Sequence, residues 1–233
     1  IDTELYNPAT DPEIASTYTS KTWTKGKSVC KKSLQEELGF PKQSKIPIFA
    51  MVTRLDSQKG LDLVLHILDE LLTQDIQFVI LGTGDPSYEK RLQDAQKRHP
   101  DRMRAVLAYD RHLARRIYAG ADVFMMPSLF EPCGLSQMIA MRYGTLPLVR
   151  QTGGLADTVV AYNKYEKTGT GFGFLNINAH ELLFTCKEAE RVYREDREGW
   201  ENMVKTAMEG DYSWLRSAGE YKALYHEILE EKR

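Results

Sequence analysis

The sequence has 233 residues, enough for one large domain or one domain with appendages. Its net charge at pH 7 is −2, so charge gives no case for binding nucleic acid. No apolar run approaches the ~20 residues that a membrane-spanning helix needs. The three cysteines are scattered along the chain, do not suggest a disulfide framework and fit a reducing compartment.

The first 23 residues are polar and rich in turn formers, which predicts an extended arm or interdomain linker (residues 1–23) ahead of one domain, residues 24–233. A short helix over KGKSVCKKSLQEELGF is predicted to end at Gly39, with Pro41 just beyond it. From Ile46 onward, short apolar strands alternate with segments of helical periodicity. Three further helical segments follow GTGFGF.

This alternation predicts an α/β fold: a doubly wound, Rossmann-like parallel sheet with helices on both faces. The crossover connections should be right-handed. In such a sheet, ligands bind beyond the carboxyl ends of the strands. The residues that directly follow each strand are therefore the candidates for a functional site.

Two cations, Arg54 and Lys59, flank the turn after the first strand. Beside the start of a helix they would suit a phosphate or pyrophosphate, although this segment alone is more simply two solvated charges. The turn after the second strand, GTGDP, carries Gly82 and Gly84. These glycines permit close approach of a ligand, but a plain turn is the simpler interpretation of this motif alone. A complete dinucleotide fingerprint is absent.

An aromatic residue, Tyr109, follows the third strand. Its ring could stack on a nucleobase, but a lone tyrosine is more often a packing residue. His112 lies three residues further on and could be a ligand or a base, although one histidine at a helix start is usually structural. The third strand end therefore offers a candidate binding residue whose packing alternative stays open.

The segment SLFEPCGLSQMIAM joins the fourth strand to the next helix and places a carboxylate, Glu131, at the turn. The N–H groups of Cys133, Gly134, Leu135 and Ser136 are expected to point outward, available to an anion or a hydroxyl. A carboxylate beside exposed N–H donors supplies both halves of sugar-hydroxyl recognition. The alternative is that Glu131 only pairs with the helix N-terminus.

After the fifth strand, QTGGLADTV carries Thr152, Gly153 and Gly154. The paired glycines predict a second group of exposed N–H donors, with a tight turn as the alternative. No cluster of His, Cys, Asp or Glu has metal-ligand spacing, so no metal is expected. Cations, N–H donors, an aromatic ring and a carboxylate on one rim together indicate a nucleotide-sugar site.

The chain closely resembles the C-terminal domain of glycogen and starch synthases of the ADP-glucose type in IDTELYNPATD, TRLDSQKGLDL, LGTGDP, FEPCGLSQMIAMRYGTLPLVRQTGGLADTV and SAGEYKALYHEIL. The resemblance spans nearly the whole chain. It implies the C-terminal half of a GT-B glycosyltransferase, in which two Rossmann-like domains close over a cleft. The implied reaction transfers glucose from ADP-glucose to the non-reducing end of an α-1,4-glucan with retention, and it needs no metal or other cofactor.

The resemblance also implies roles for individual residues. Arg54 and Lys59 would bind the donor phosphates and stabilise the leaving diphosphate, Tyr109 would stack on adenine, and Glu131 would contact the glucose hydroxyls. The implied catalytic residues are Arg54, Lys59 and Glu131. Further donor contacts are implied for a set of loop positions: Gly82, Gly84, Cys133, Gly134, Leu135, Ser136, Thr152, Gly153 and Gly154.

The resemblance implies that different amides of one loop contact different parts of the donor. Those of Cys133 and Gly134 would help to hold glucose, and those of Leu135 and Ser136 would meet the distal phosphate. The chain departs from the family pattern in two places. Ser136 stands where threonine is common, which keeps the hydroxyl, and Ile139 stands where related transferases often carry a second glutamate.

The chain begins where the family's C-terminal domain begins, so it is expected to be half of an enzyme that lacks its N-terminal acceptor domain. The implied partners are ADP-glucose, an α-glucan and that missing domain, with no nucleic acid and no membrane. In the family the final helix packs across the N-terminal domain. Its apolar stripe is therefore expected to be partly exposed here or packed against another copy: Leu215, Ala218, Tyr221, Tyr225 and Ile228.

Two other functions stay open from the sequence. The isolated chain is expected to be inactive, so it could act as a non-catalytic nucleotide-binding module. A GT-B transferase that uses a UDP-sugar is the third possibility, since Tyr109 by itself does not distinguish adenine from uracil. The expected compartment is the bacterial cytoplasm, or the plastid if the chain comes from a plant.

Overall fold

The computed structural model describes residues 1–231, in which strands and helices alternate along the chain. The strands among these residues are β1 (Ile48–Val52), β2 (Gln77–Leu81), β3 (Met103–Val106), β4 (Val123–Met126), β5 (Leu146–Arg150) and β6 (Phe172–Phe174). The α-helices are α1 (Trp23–Glu37), α2 (Leu61–Leu71), α3 (Pro86–Arg98), α4 (Arg111–Gly120), α5 (Ser136–Arg142), α6 (Gly154–Thr158), α7 (Ala179–Glu195), α8 (Arg197–Glu209) and α9 (Trp214–Glu231). A short 3-10 helix, Ser57–Lys59, lies between β1 and α2.

These strands form one parallel sheet in the order β3-β2-β1-β4-β5-β6. This is the strand order of doubly wound nucleotide-binding sheets, and it confirms the predicted fold class. The order reverses between β1 and β4, which pair directly through Phe49 with Val123 and Ala50 with Phe124. The carboxyl ends of β1 and β4 therefore lie side by side at the topological switch point, where open α/β sheets bind their ligands.

The centre of the sheet is apolar on both faces because helices cover it from both sides. Every residue of β2 is buried, and in β1 only Val52, at the carboxyl end, is partly accessible. Helix α2 buries Leu61, Val64, Leu68 and Leu71, a spacing that places the four side chains on one face. This burial accounts for the alternating strand and helix pattern of the sequence.

The structure differs from the sequence prediction after β5. The segment GTGFGF contains a sixth strand, which pairs with β5 at the edge of the sheet. A strand of three residues with Gly173 at its centre is too short to show an alternating pattern, although its two phenylalanines are buried. The helix predicted to begin in GLADTVVAY is short and ends at Thr158.

The first segment of the chain folds as successive turns that lie against the sheet and its helices, where the sequence predicts an extended arm. Asp11 is buried and accepts hydrogen bonds from Arg115 Nε at 2.9 Å and from the Tyr143 hydroxyl. Tyr18 is also buried, and its hydroxyl donates to the Tyr143 carbonyl at 2.8 Å. Long-range pairs of this kind hold the segment in place, and its individual residues gave no signal of them. The domain boundary after residue 23 stays a prediction.

Helix α9 exposes the apolar stripe predicted for the final helix. Leu215 is the most exposed of these side chains, and the remaining members of the stripe are exposed as well: Ala218, Tyr221, Tyr225 and Ile228. The expected partial exposure is therefore confirmed. Apolar side chains that share one unburied helix face are typical of a surface that contacts another domain or another chain.

A buried lysine ties α1 to the centre of the fold. Lys27 Nζ donates to the carbonyls of Ala119 at 3.1 Å, Ala121 at 2.7 Å and Tyr143 at 3.3 Å, and to the Thr145 hydroxyl at 2.6 Å. All four acceptors are uncharged. Burial lowers the pKa of Lys27 to about 8, because the charged form loses its hydration.

The pKa of Lys27 predicts a pH dependence of stability. An unfolded lysine keeps a pKa of about 10.4, so between pH 8 and pH 10 the unfolded state binds more protons than the folded state. The free energy of unfolding should therefore rise with pH in this window, by up to about 1.4 kcal/mol per pH unit from this group. Urea unfolding at pH 7, 8, 9 and 10 measures the free energy of unfolding of the wild type and of Lys27→Met. The wild-type value minus the variant value should rise with pH. A difference that stays constant with pH would contradict the prediction.

Candidate active site

Two loops meet at the topological switch point. The Leu129 N–H, in the loop after β4, donates to the Gln58 carbonyl in the loop after β1 at 2.8 Å. The side chain of Gln58 returns a hydrogen bond from Nε2 to the Phe130 carbonyl at 3.2 Å. Because β1 and β4 are neighbours in the sheet, residues far apart in the sequence are brought together here.

The junction of the two loops contains an ion pair. Lys59 Nζ lies 2.7 Å from Glu131 Oε2, and the two side chains are only 19% and 11% exposed. The hydroxyl of Ser128 lies 3.4 Å from the same carboxylate oxygen. The main chain of Lys59 is fixed as well, since its N–H donates to the Asp56 carboxylate at 3.1 Å. The residues that the sequence assigns to phosphate and to sugar are thus in direct contact, which neither motif alone could reveal.

Arg54 differs from Lys59 in its exposure. Its side chain is 73% exposed, and its guanidinium lies 3.5 Å from the Asp56 carboxylate. A surface pair of this kind contributes little to stability. The structure therefore leaves the Arg54 head free to turn towards an anion at the mouth of the site.

Two adjoining cavities open at the switch point. The larger, of about 370 Å³, is lined by Arg54, Gly82 and Tyr109. The smaller, of about 140 Å³, is lined by Lys59 and Glu131. The cavities share part of their walls, in the loop after β1 and at the start of α5: Val52, Thr53, Leu135 and Ser136. The predicted nucleotide and sugar contacts thus fall into neighbouring compartments.

The loop between Glu131 and α5 presents free backbone donors. Within residues 1–231, the amides of Cys133, Gly134, Leu135 and Ser136 donate no hydrogen bond to another group of the chain. Three of these residues, from Gly134 to Ser136, line the smaller cavity. The expectation of outward-pointing N–H groups in this loop agrees with the structure.

The other predicted strand-end residues take different places. Tyr109 lines the larger cavity with a ring that is 86% exposed, so it is not a packing residue in this structure. Gly84 pairs with Leu55 in an isolated parallel bridge, where a Cβ atom would lie 2.2 Å from the Leu55 carbonyl oxygen. Close packing of two loops therefore accounts for Gly84. His112 lies outside the site, with Nδ1 3.0 Å from Glu13.

The paired glycines after β5 pack against the loop that joins β4 to α5, residues 127–135, which we call the Glu131 loop. The N–H of Gly154 donates to the carbonyls of Glu131 at 3.2 Å and Pro132 at 3.1 Å. The prediction of exposed N–H donors is therefore wrong for Gly154, because the loop uses its amide. Gly153 packs equally close, since a Cβ atom there would lie 2.3 Å from the Glu131 carbonyl oxygen. Thr152 lines neither cavity, and its carbonyl accepts a hydrogen bond from a residue of α6.

Sequence reasoning missed Arg150, which fastens the same loop. Arg150 is the last residue of β5, and its guanidinium donates from Nε to the Ser128 carbonyl at 2.8 Å and from Nη2 to the Leu129 carbonyl. A cation at a strand end was the signal that could have found it.

The larger cavity is also lined by Tyr6 from the first segment and Tyr118 from α4. Burial raises the pKa of Tyr118 to about 12, so its hydroxyl stays protonated at neutral pH.

The described residues 1–231 contain no group of three or more His, Cys, Asp or Glu side chains placed to hold a metal ion. None of the helices in this part of the chain is long and apolar enough to cross a membrane. Side chains contribute positive charge to the two cavities. The charged groups that line them are Arg54, Lys59, Arg111 and Arg115, with the carboxylates of Asp110 and Glu131.

A parallel sheet of this order, with cations, free amides and a carboxylate at its switch point, is typical of nucleotide-binding domains. Residues 33–186 match the family model described as glycosyl transferases group 1. The match covers most of the chain and includes both loops of the site. The chain therefore belongs to the family of group 1 glycosyl transferases.

Curated relatives of this chain are glycogen synthases. The chain is 47% identical over 232 residues to a glycogen synthase from Geobacillus thermodenitrificans and 49% identical over 229 residues to one from Anoxybacillus flavithermus. These alignments cover 100% and 98% of this chain but 47% of each relative, so the chain spans about half the length of the curated relatives it matches. The catalytic domain of starch synthase IV from Arabidopsis thaliana, bound to ADP and acarbose, superposes with a TM-score of 0.88 and 36% identity. That superposition covers 97% of this chain and 47% of the other. The resemblance to glycogen and starch synthases, and the assignment to the GT-B fold, are confirmed.

The support from Gly154 leads to a test with a matched control. In Gly154→Ala the new Cβ atom would lie 2.3 Å from the Cys133 carbonyl oxygen, so the loop must move. We expect the free energy of unfolding to fall by about 1–3 kcal/mol. In Gly219→Ala, within α9, the Cβ atom meets nothing within 4 Å, and stability should stay unchanged or rise by up to about 1 kcal/mol. Urea unfolding of both variants measures this, and equal effects would contradict the close packing at Gly154.

Proposed function

We propose that this chain is the donor-binding part of a retaining glycosyltransferase that transfers glucose from ADP-glucose to the non-reducing end of an α-1,4-glucan. The observation that carries the proposal is the contact between Lys59 and Glu131 beside the free amides of one loop. A diphosphate needs a cation and N–H donors, and a glucose ring needs a carboxylate acceptor. The site offers all of these within two adjoining cavities.

In the proposed reaction, the chain stabilises negative charge on the leaving diphosphate. Arg54, Lys59 and the amides of Leu135 and Ser136 would neutralise that charge, and the barrier falls as they do so. No metal is required in this proposal. Lys59 has two roles, because a bound diphosphate would compete with Glu131 for its ammonium group. Glu131 would then be free to accept hydrogen bonds from the glucose hydroxyls.

The identity of the donor is proposed from the relatives together with the site. The relatives in the alignments are glycogen synthases, and the starch synthase IV domain holds ADP. The larger cavity offers the exposed ring of Tyr109 to a nucleobase, and base stacking is tolerant of base identity. ADP-glucose is therefore proposed as the donor, in preference to a UDP-sugar, on the strength of the relatives.

The proposed setting includes a second domain. We propose that an N-terminal domain supplies the acceptor side of the cleft, since the curated relatives are about twice as long as this chain. The exposed stripe of α9 is a suitable surface for it. By itself the chain would act as a nucleotide-binding module without turnover, which is the second candidate function. The bacterial relatives support a bacterial cytoplasmic setting.

The proposal predicts selective nucleotide binding by the isolated chain. Calorimetry should detect binding of ADP and ADP-glucose and weaker binding of UDP. Lys59→Ala should raise the dissociation constant for ADP about 10- to 100-fold, because hydrogen bonds to charged groups contribute roughly 1.5–3 kcal/mol. Lys187→Ala is the control, since Lys187 also pairs with a carboxylate at 2.7 Å, that of Glu70, but on the surface of α7. Absence of ADP binding, or equal loss in both variants, would contradict the proposal.

The role of Glu131 is tested separately. Glu131→Gln keeps the size of the side chain and removes its charge, which weakens an acceptor of sugar hydroxyl groups. We expect the dissociation constant for ADP-glucose to rise about tenfold and that for ADP to change much less. The comparison of the two ligands in one variant is an internal control for folding. An equal loss of both would show that Glu131 acts only through Lys59.

A further inference from the structure

Gln137 is a buried polar residue of α5 that has no part in the predicted site. Its side chain is fully buried. From Nε2 it donates to the carbonyls of Cys133 at 3.1 Å and Gly134 at 2.9 Å, and it lies 3.1 Å from the hydroxyl of Thr158 at the end of α6. One amide group therefore contacts the Glu131 loop and the helix that follows β5.

We infer that Gln137 is a positioning residue that turns the free amides of the loop towards the donor. In a trans peptide the C=O and N–H groups of one plane point in opposite directions. When Gln137 holds the carbonyls of Cys133 and Gly134, the N–H groups of the next residues, Gly134 and Leu135, point away from Gln137. Both residues line the smaller cavity, and their amides donate no hydrogen bond to any group among residues 1–231.

The orientation of the Gln137 amide is costly in one respect. Its Oε1 atom is buried and accepts no hydrogen bond within the described part of the chain. A buried acceptor without a donor lowers stability. The opposite orientation would place Oε1 against two carbonyl oxygens, so the observed one is favoured by the loop. The fold thus tolerates an unsatisfied atom in order to hold these two carbonyls.

Gly134 is adapted to the same arrangement. Its φ of +71° lies in the left-handed region that favours glycine. A Cβ atom at this position would lie 2.6 Å from Gln137 Oε1. The absence of a side chain at residue 134 therefore allows both the reversal of the backbone and the approach of the glutamine amide. Two positions of the motif, three residues apart, act as one unit.

The first test needs no ligand. Gln137→Met removes the donor and keeps a side chain of similar length, and Gln35→Met is the matched control. Gln35 is also buried, and its Nε2 donates to the Gln43 carbonyl at 3.1 Å and to Gln77 Oε1 at 2.8 Å, at the amino-terminal edge of the sheet. We expect the backbone order parameters of Gly134 and Leu135, from ¹⁵N relaxation, to fall from about 0.85 to below about 0.6 in Gln137→Met only. Unchanged values in Gln137→Met would overturn the inference.

The second test rests on the proposed function and compares a nucleotide that has the distal phosphate with one that lacks it. In Gln137→Met the dissociation constant for ADP should rise about tenfold, which corresponds to about 1.4 kcal/mol, while that for AMP, which lacks the distal phosphate, should change less than about twofold. Gln35→Met should change neither constant. Equal weakening of AMP and ADP, or an equal effect of the control, would overturn the inference. If the wild type binds no ADP, the proposed function fails, and the relaxation measurement still decides the role of Gln137.

A conservative variant covers the case in which Gln137→Met does not fold. Gln137→Glu has the same shape but, when ionised, can donate to neither carbonyl. Burial raises the pKa of a carboxyl group at this position, and the protonated form regains one donor. ADP affinity relative to the wild type should therefore fall as pH rises through the pKa of this carboxyl, which NMR of the variant locates. A ratio that stays constant while the carboxyl ionises would contradict the positioning role.

Discussion

The ion pair between Lys59 and Glu131 joins the two loops on which the site depends. The parallel sheet places the ends of β1 and β4 side by side, and the pair fixes how the loops after them meet. Each partner is mostly removed from water, so leaving either one unpaired would be costly. In the proposed function a bound nucleotide sugar would separate this cation from this carboxylate. Stability of the loops and readiness for a ligand therefore depend on one contact.

Hydrogen bonds to its carbonyl groups hold the Glu131 loop in place. Arg150 donates hydrogen bonds to the carbonyls at the start of the loop, and Gln137 donates to those at its end. The Gly154 amide donates to the carbonyls in the middle. Because these groups occupy the carbonyls, the amides of the opposite side are left for a ligand. Preorganised donors of this kind stabilise developing charge without having to reorganise during the reaction. In the proposed function the backbone, more than any single side chain, would form the anion-binding surface.

The sequence predicts this site in part, for reasons that differ between residues. The apolar runs of β1, β2 and β4 and the stripe of α2 reveal the sheet, and the rule that ligands bind at strand ends selects Arg54, Lys59 and Glu131. The contact between Lys59 and Glu131 spans 72 positions and follows from the strand order, which periodicity does not give. Gly154 was misjudged because a glycine pair is equally suited to bind a ligand or to admit another loop. Gln137 looked like part of a helix, and only its partners reveal its role.

The central claim is that the diphosphate of a nucleotide sugar binds between Lys59 and the amides of the Glu131 loop. The measurement that tests it most directly is a crystal structure of this chain with ADP-glucose. The account predicts the distal phosphate within hydrogen-bonding distance of the amides of Leu135 and Ser136, with Lys59 turned towards it and the glucose hydroxyls at Glu131. A nucleotide whose phosphates point away from this loop, with the Lys59–Glu131 pair unchanged, would contradict it.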